Sequence, residues 1–176
     1  MEGSKASDYG TEISSFIDFL KTGELGQLSL RLSVEEVYNL LGKPRHSHRP
    51  FEGTDQDHLL NLHYKNLTVT FYDEDLAIYI IQFQNGFKPV RGELPNQLNA
   101  KWFSKVKKMT FDEFIELIKT NGIRCEKLVT DDSEGHLIRF PESGVEVSFD
   151  LSIRNGIYQI DCSKTGPENR QFEEIL

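Results

Sequence analysis

Apolar residues recur at two periods along this chain, and the change of period marks its elements. Ile13, Phe16, Ile17 and Leu20 fall on one helical stripe with Gly23 just beyond, so the spacing predicts a helix over 11–21. Alternating leucines (Leu28, Leu30, Leu32) then lead to Ser33, with Glu36 three residues on, the signature of a capping box. Val34, Val37, Leu40 and Leu41 form the buried stripe of this second helix, Gly42 closes it and Pro44 prevents its continuation. Strand-like runs follow at 45–51, 59–64, 67–72 and 76–83. Lys65-Asn66 makes a tight hairpin turn between the middle two, and Asn85-Gly86 ends the last.

The same order then returns. A short helix over 98–106 carries Trp102, Phe103 and Val106. Thr110 and Glu113 form a second capping box, opening a helix that runs to Asn121-Gly122. Strands are expected at 124–129, 137–140, 145–149 and 156–162, with turns at 130–135 and 142–144. Individual segments also match. Ser33-Val-Glu-Glu-Val37 returns as Thr110-Phe-Asp-Glu-Phe114, and His58-Leu-Leu-Asn-Leu62 as His136-Leu-Ile-Arg-Phe140. Val69-Thr-Phe71 returns as Val147-Ser-Phe149, and Ile78-Tyr79 as Ile157-Tyr158. A near-constant offset over some fifty positions predicts a tandem duplication. The expected fold is α+β: two helix–loop–helix units, each followed by a four-stranded antiparallel meander, with helices packed on one face of the sheet. Residues 1–88 form the first unit, 89–163 the second and 164–176 a polar, loosely docked C-terminal tail; the two units fuse into one compact domain.

Strand alternation assigns the faces. Leu60, Leu62, Val69 and Phe71, with Ile138, Phe140, Val147 and Phe149, point to the core. Tyr79, Ile81 and Phe83, with Tyr158, Ile160 and Cys162, join them. The opposite face is left polar and aromatic. Its candidate partner-binding residues are His63, Thr68, Thr70, Tyr72, Ile78, Ile80 and Gln82, with Arg139, Glu146, Asp150 and Gln159 in the second unit.

Helix, loop, helix and meander, given twice, resembles the β-lactamase-inhibitor-protein architecture, and one unit is similar to the SmpA/OmlA outer-membrane lipoprotein domains. Ser33-Val-Glu-Glu-Val-Tyr-Asn-Leu-Leu-Gly-Lys-Pro44 carries the resemblance, as a capped short helix ending in Leu-Gly-x-Pro before the strands. It implies the architecture and a sheet face used for binding, and it transfers no individual residue role. The chain departs from those families in having no exported, disulfide-bonded or lipidated signature. By size, acidity and build it also looks like the immunity proteins that neutralise bacterial toxins.

Composition narrows the partners. A net charge of −8 over 176 residues disfavours nucleic acid and anionic membrane. The basic cluster Lys101, Lys105, Lys107 and Lys108 reads as a solvated helix face. Met1-Glu-Gly-Ser-Lys5 has no apolar run, and nothing approaches the roughly 18 apolar residues of a membrane span. Two cysteines, Cys125 and Cys162, read as buried reduced thiols, from which a cytoplasmic location is expected.

Four of the five histidines lie between positions 46 and 63. His46 and His48 share a face of an extended strand, and with His63 they are the candidate metal ligands, although no Cys-x-x-Cys or His-Glu-x-x-His spacing supports them. Arg45, His46, His48 and Arg49 read as edge-strand charges that discourage sheet-to-sheet association, with anion binding as the alternative. Glu35, Glu36, Asp112 and Glu113 serve helix caps and dipoles. No nucleophile elbow, dinucleotide fingerprint or P-loop is present, and no cofactor is expected. The reading is a non-enzymatic protein-binding module of inhibitor or immunity type, whose partner protein carries a basic surface; the same face would otherwise serve a homodimer. The alternative is a metal-assisted or acid–base enzyme centred on residues 45–63.

Overall fold

In a computed structural model, the described residues are 4–44, 46–49, 58–72, 77–85, 94, 98, 100–128, 135–150, 156–163 and 170–176. Each short amphipathic helix starts where its cap dictates. The Ser33 hydroxyl accepts the Glu36 backbone N–H, and the Glu36 carboxylate accepts the Ser33 N–H at 2.8 Å, opening α2 (Val34–Leu41). Thr110 and Glu113 repeat this exchange at the start of α4 (Phe111–Thr120). In both, the cap's hydrogen bonds to the ionised carboxyl hold the glutamate pKa below its ordinary value. The first helix, α1 (Ser4–Thr22), begins seven residues before the periodicity predicts, and it buries Phe19 besides Phe16, Ile17 and Leu20. The helix expected over 98–106 contracts to one turn, α3 (Phe103–Val106).

The strands are β1 (His46–His48), β2 (Leu59–Tyr64), β3 (Leu67–Tyr72), β4 (Ile78–Gln84), β5 (Glu126–Leu128), β6 (Gly135–Phe140), β7 (Val145–Asp150), β8 (Gly156–Ser163) and β9 (Phe172–Glu174). They form one antiparallel sheet in the order β1-β2-β3-β4-β8-β7-β6-β5-β9. The strand expected at 45–51 is three residues long, and Arg45, Pro50 and Phe51 lie outside the described residues. Lys65 has a positive φ of 58°, as the two-residue turn between β2 and β3 requires.

Strands β4 and β8 meet at mid-sheet. Ile81 pairs with Cys162, Gln82 with Asp161 and Phe83 with Ile160, so apolar pairs face the core and the amide–carboxyl pair faces away. The register slips between Thr70 and Phe71 against β4, and again between Ser148 and Phe149 against β8. These bulges overturn part of the predicted alternation, because Phe71 pairs with Ile78 while Thr70 pairs with Ile80. Ile78 therefore turns inward and is fully buried, as is Ile157 at the second bulge, so Ile78 is a core residue and not a binding candidate. Tyr79 and Tyr158, assigned to the core from alternation, are displaced outward, and Tyr158 is 39% exposed.

Two further expectations change. His58 precedes β2, whereas His136 lies inside β6 opposite Phe149, the place that Leu60 occupies opposite Phe71. The turn over 141–144 is two residues longer than Lys65-Asn66, which shifts the apparent match of the histidines by two. The C-terminal residues are also more than a tail. Leu128 pairs with Phe172 and Glu126 with Glu174, making β9 an edge strand on β5. The Ile175 N–H donates to the Cys125 carbonyl at 3.2 Å, and Ile175 and Leu176 pack at the core margin.

A single apolar cluster runs through the fold. Trp102 is its hub, with ring centroids 4.8 Å from Phe16, 5.7 Å from Phe19 and 5.2 Å from Phe83. Phe114 of α4 meets Phe149 at 5.2 Å, and Phe16 touches Phe114 at 6.3 Å, so α1 contacts residues from both halves of the chain. Cys125 and Cys162 are both buried and unbonded to each other.

Candidate functional site

Register alone lays out the sheet face away from this core. One unbroken row of paired residues crosses all nine strands: His46, His63, Thr68, Gln82, Asp161, Glu146, Arg139, Glu126 and Glu174. Its chemistry changes at the β4–β8 seam. On the first side it is imidazole, hydroxyl and amide; beyond the seam it is charged. A second row carries His48, Asn61, Thr70, Ile80 and Ser163.

On the first side the candidates come together. Thr70 donates its hydroxyl to Asn61 Oδ1 at 2.7 Å. Tyr72 lies 4.5 Å from the His58 ring and meets Tyr79 edge-on at 4.9 Å. His63, Thr68, Thr70, Tyr72, Ile80 and Gln82 are all partly exposed.

The histidines form a chain and not a ligand cage. His63 Nδ1 lies 3.1 Å from Thr68 Oγ1, and His63 Nε2 lies 2.9 Å from His48 Nδ1, a spacing that holds one shared proton. Burial chiefly, then the neighbouring His48 and His46, lowers the His63 pKa. Among the described residues no group of three or more His, Cys, Asp or Glu is arranged to hold a metal ion, so His46, His48 and His63 do not converge as ligands. Strand geometry explains this: His46 is the pairing partner of His63, while the His63 ring reaches diagonally to His48.

Beyond the seam the carboxylates are crowded. Glu146 faces Asp161 in the ladder, and Glu146 accepts from Arg170 Nη1 at 3.2 Å although its side chain is only 12% exposed. Gln159 donates to Asp161 Oδ2, while Glu146 Oε1 and Asp161 Oδ1 are buried without hydrogen-bond partners among the described residues. The Arg139 guanidinium lies over the Phe172 ring, 5.2 Å from its centroid. Arg139 and Glu146, expected to await a partner, are thus already engaged by the chain's own C-terminal residues. Arg170 and Phe172 lie on the candidate face, and periodicity missed them. The signal available was Phe172 with Ile175 and Leu176, apolar residues in an otherwise polar stretch.

Asp161 has a raised pKa, first because it is buried and further because Glu146 is near; Gln159, Gln82 and Arg170 pull it back. Folding therefore makes the proton harder to lose. The stabilising contribution of protonated Asp161 is full below the ordinary carboxylate pKa and disappears as pH rises through the raised value. Once ionised, the side chain opposes folding. Asp161→Asn is expected to raise the urea midpoint at neutral pH, worth about 1 kcal/mol, by supplying an amide donor beside the unpartnered Glu146 oxygen. It should also flatten the fall in stability over the window that opens at the ordinary carboxylate pKa and extends upward. An unchanged slope in urea titrations across that window would show that another group causes the fall.

Fold and face together define a mixed helix-and-strand protein built on a nine-stranded antiparallel sheet, with a half-buried polar surface opposite its core. No helix among the described residues is long and apolar enough to cross a membrane. No protein-family model, curated protein or solved structure matches the chain.

Proposed function

We propose that this protein is a non-enzymatic binding module whose sheet face, in the first half of the chain, docks a partner protein in an inhibitory or immunity-type role. The observation that carries the reading is the patch made by His63, Thr68, Thr70, Tyr72, Ile80 and Gln82. Hydroxyls, an amide and an imidazole surround one tyrosine and one isoleucine there, a composition suited to a specific interface. The partner presents a basic surface, complementary to a chain of net charge −8.

We also read the chain as two copies of one helix–loop–helix and meander unit, with the helices backing the opposite sheet face. Support comes from the paired capping boxes at Ser33 and Thr110 and the paired bulges at Thr70/Phe71 and Ser148/Phe149. The identical burial patterns of β2 with β6 and of β3 with β7 agree. At the seam, Gln82 meets Asp161, its own counterpart 79 positions on, as a local two-fold would require.

Tyr72→Asp combined with Ile80→Asp is expected to weaken a partner captured from the source cell by about 10-fold or more, since buried aromatic anchors dominate interfaces. Both residues face away from the core, so the thermal midpoint should move little. A partner that binds this double variant unchanged places the interface elsewhere.

A further inference from the structure

The second half of the sheet face is occupied, and its occupant is badly matched to its seat. Arg170 gives one hydrogen bond, to Glu146 Oε2, and is itself 40% exposed, while Glu146 beneath it is 12% exposed. Among the described residues, the neighbouring acceptors Glu146 Oε1 and Asp161 Oδ1 stay buried and unpartnered. None of residues 170–176 is buried, and the added strand β9 spans only three ladder pairs. Its remaining ion pair, Arg124 to Glu174 at 3.7 Å, is between exposed side chains and holds weakly.

We propose that residues 170–176 are a built-in competitor for a second docking site, made of the β5 edge, Glu146, Asp161 and Arg139. The ligand this site fits is an extended segment of a partner protein carrying an arginine two residues ahead of an aromatic. Its strand replaces β9 on β5 and its aromatic lies under Arg139. Its guanidinium, a planar fork of five donors, reaches the carboxylate oxygens that Arg170 leaves unpaired. The inference extends the binding role proposed above to the other half of the face. It concerns different residues, so failure here leaves the Tyr72–Ile80 patch standing, and failure there leaves this site standing.

A labelled peptide with the sequence of residues 168–176 is the probe, followed by fluorescence anisotropy. A chain ending at residue 169 should bind it, and the full chain should bind about 10-fold or more weakly, because its site is open only part of the time. Glu146→Gln in the shortened chain, or alanine at the Phe172 position of the peptide, should each reduce binding. Equal binding by both chains, or none by a folded shortened chain, overturns the proposal. If the shortened chain does not fold, hydrogen exchange on the full chain decides. Amides of 172–175 should then exchange by local opening, about 100-fold faster than those of β6 and β7, and faster still in Arg170→Glu. Exchange of 172–175 only together with β6 would make the segment a fixed part of the fold and end the idea.

Discussion

Trp102→Ala is expected to cost about 3–5 kcal/mol, the loss typical of deleting a large buried aromatic, and to leave the chain largely unfolded or close to it at 37 °C. The side chain has no exposure and packs against Phe16, Phe19, Phe83 and Phe103. These come from α1, β4 and α3, so the cavity would open where the helices meet mid-sheet. The indole Nε1 is buried without a partner among the described residues, a penalty that phenylalanine does not carry. Trp102→Phe loses that N–H and keeps most of the ring volume, so it should cost much less than Trp102→Ala, about 1–2 kcal/mol. Urea unfolding followed by far-UV circular dichroism reads both, since no tryptophan would remain for fluorescence. A Trp102→Phe loss well above about 2 kcal/mol would mean that relief of the orphaned N–H offsets none of the lost volume.

Gly23→Ala is the second large effect, at about 2–4 kcal/mol, for a backbone reason combined with a steric one. Gly23 ends α1 with φ of +70°, and its N–H donates to the Phe19 carbonyl at 2.8 Å. An added Cβ would stand 2.7 Å from the Ser143 carbonyl oxygen and 2.9 Å from Cys162 Sγ. The Ser143 hydroxyl donates to the Leu20 carbonyl at 2.6 Å, so the displaced turn would also lose its tie to α1. Gly122 supplies the control, because its φ is +59° and nothing lies within 4 Å of its Cβ direction, so Gly122→Ala should cost only the left-handed conformation, about 1 kcal/mol. Thermal or urea denaturation of the pair separates strain from clash. Equal losses would show that the Ser143 turn gives way without cost.

Much of the fold was legible, for identifiable reasons. The two capping boxes are local, needing only a hydroxyl and a carboxylate three residues apart, and both form where the spacing put them. Strands β2, β3 and β7 were readable because strict alternation meets short turns. What failed was whatever depends on pairing and not on the strand itself. No residue of β4 announces that the register against β3 slips by one, so Ile78 looked outward. The pairing of β9 with β5 depends on a strand some 45 positions earlier in the chain, and three residues carry too little periodicity to show it. On the candidate face, Thr68, Thr70, Tyr72, Ile80 and Gln82 were legible from alternation. The engagement of Glu146 by Arg170 was not, because contacts between distant segments leave no local pattern.

Burial shields both cysteines from thiol chemistry. Desolvation pushes the Cys125 thiol up to about 11 and Cys162 up to about 12, with Glu126 and Asp161 adding to the effect. Almost no nucleophilic sulfur anion exists at neutral pH, and neither sulfur is presented to a reagent. The folded protein should then keep both thiols unmodified in peroxide or glutathione disulfide and yield them to a thiol-labelling reagent only on unfolding.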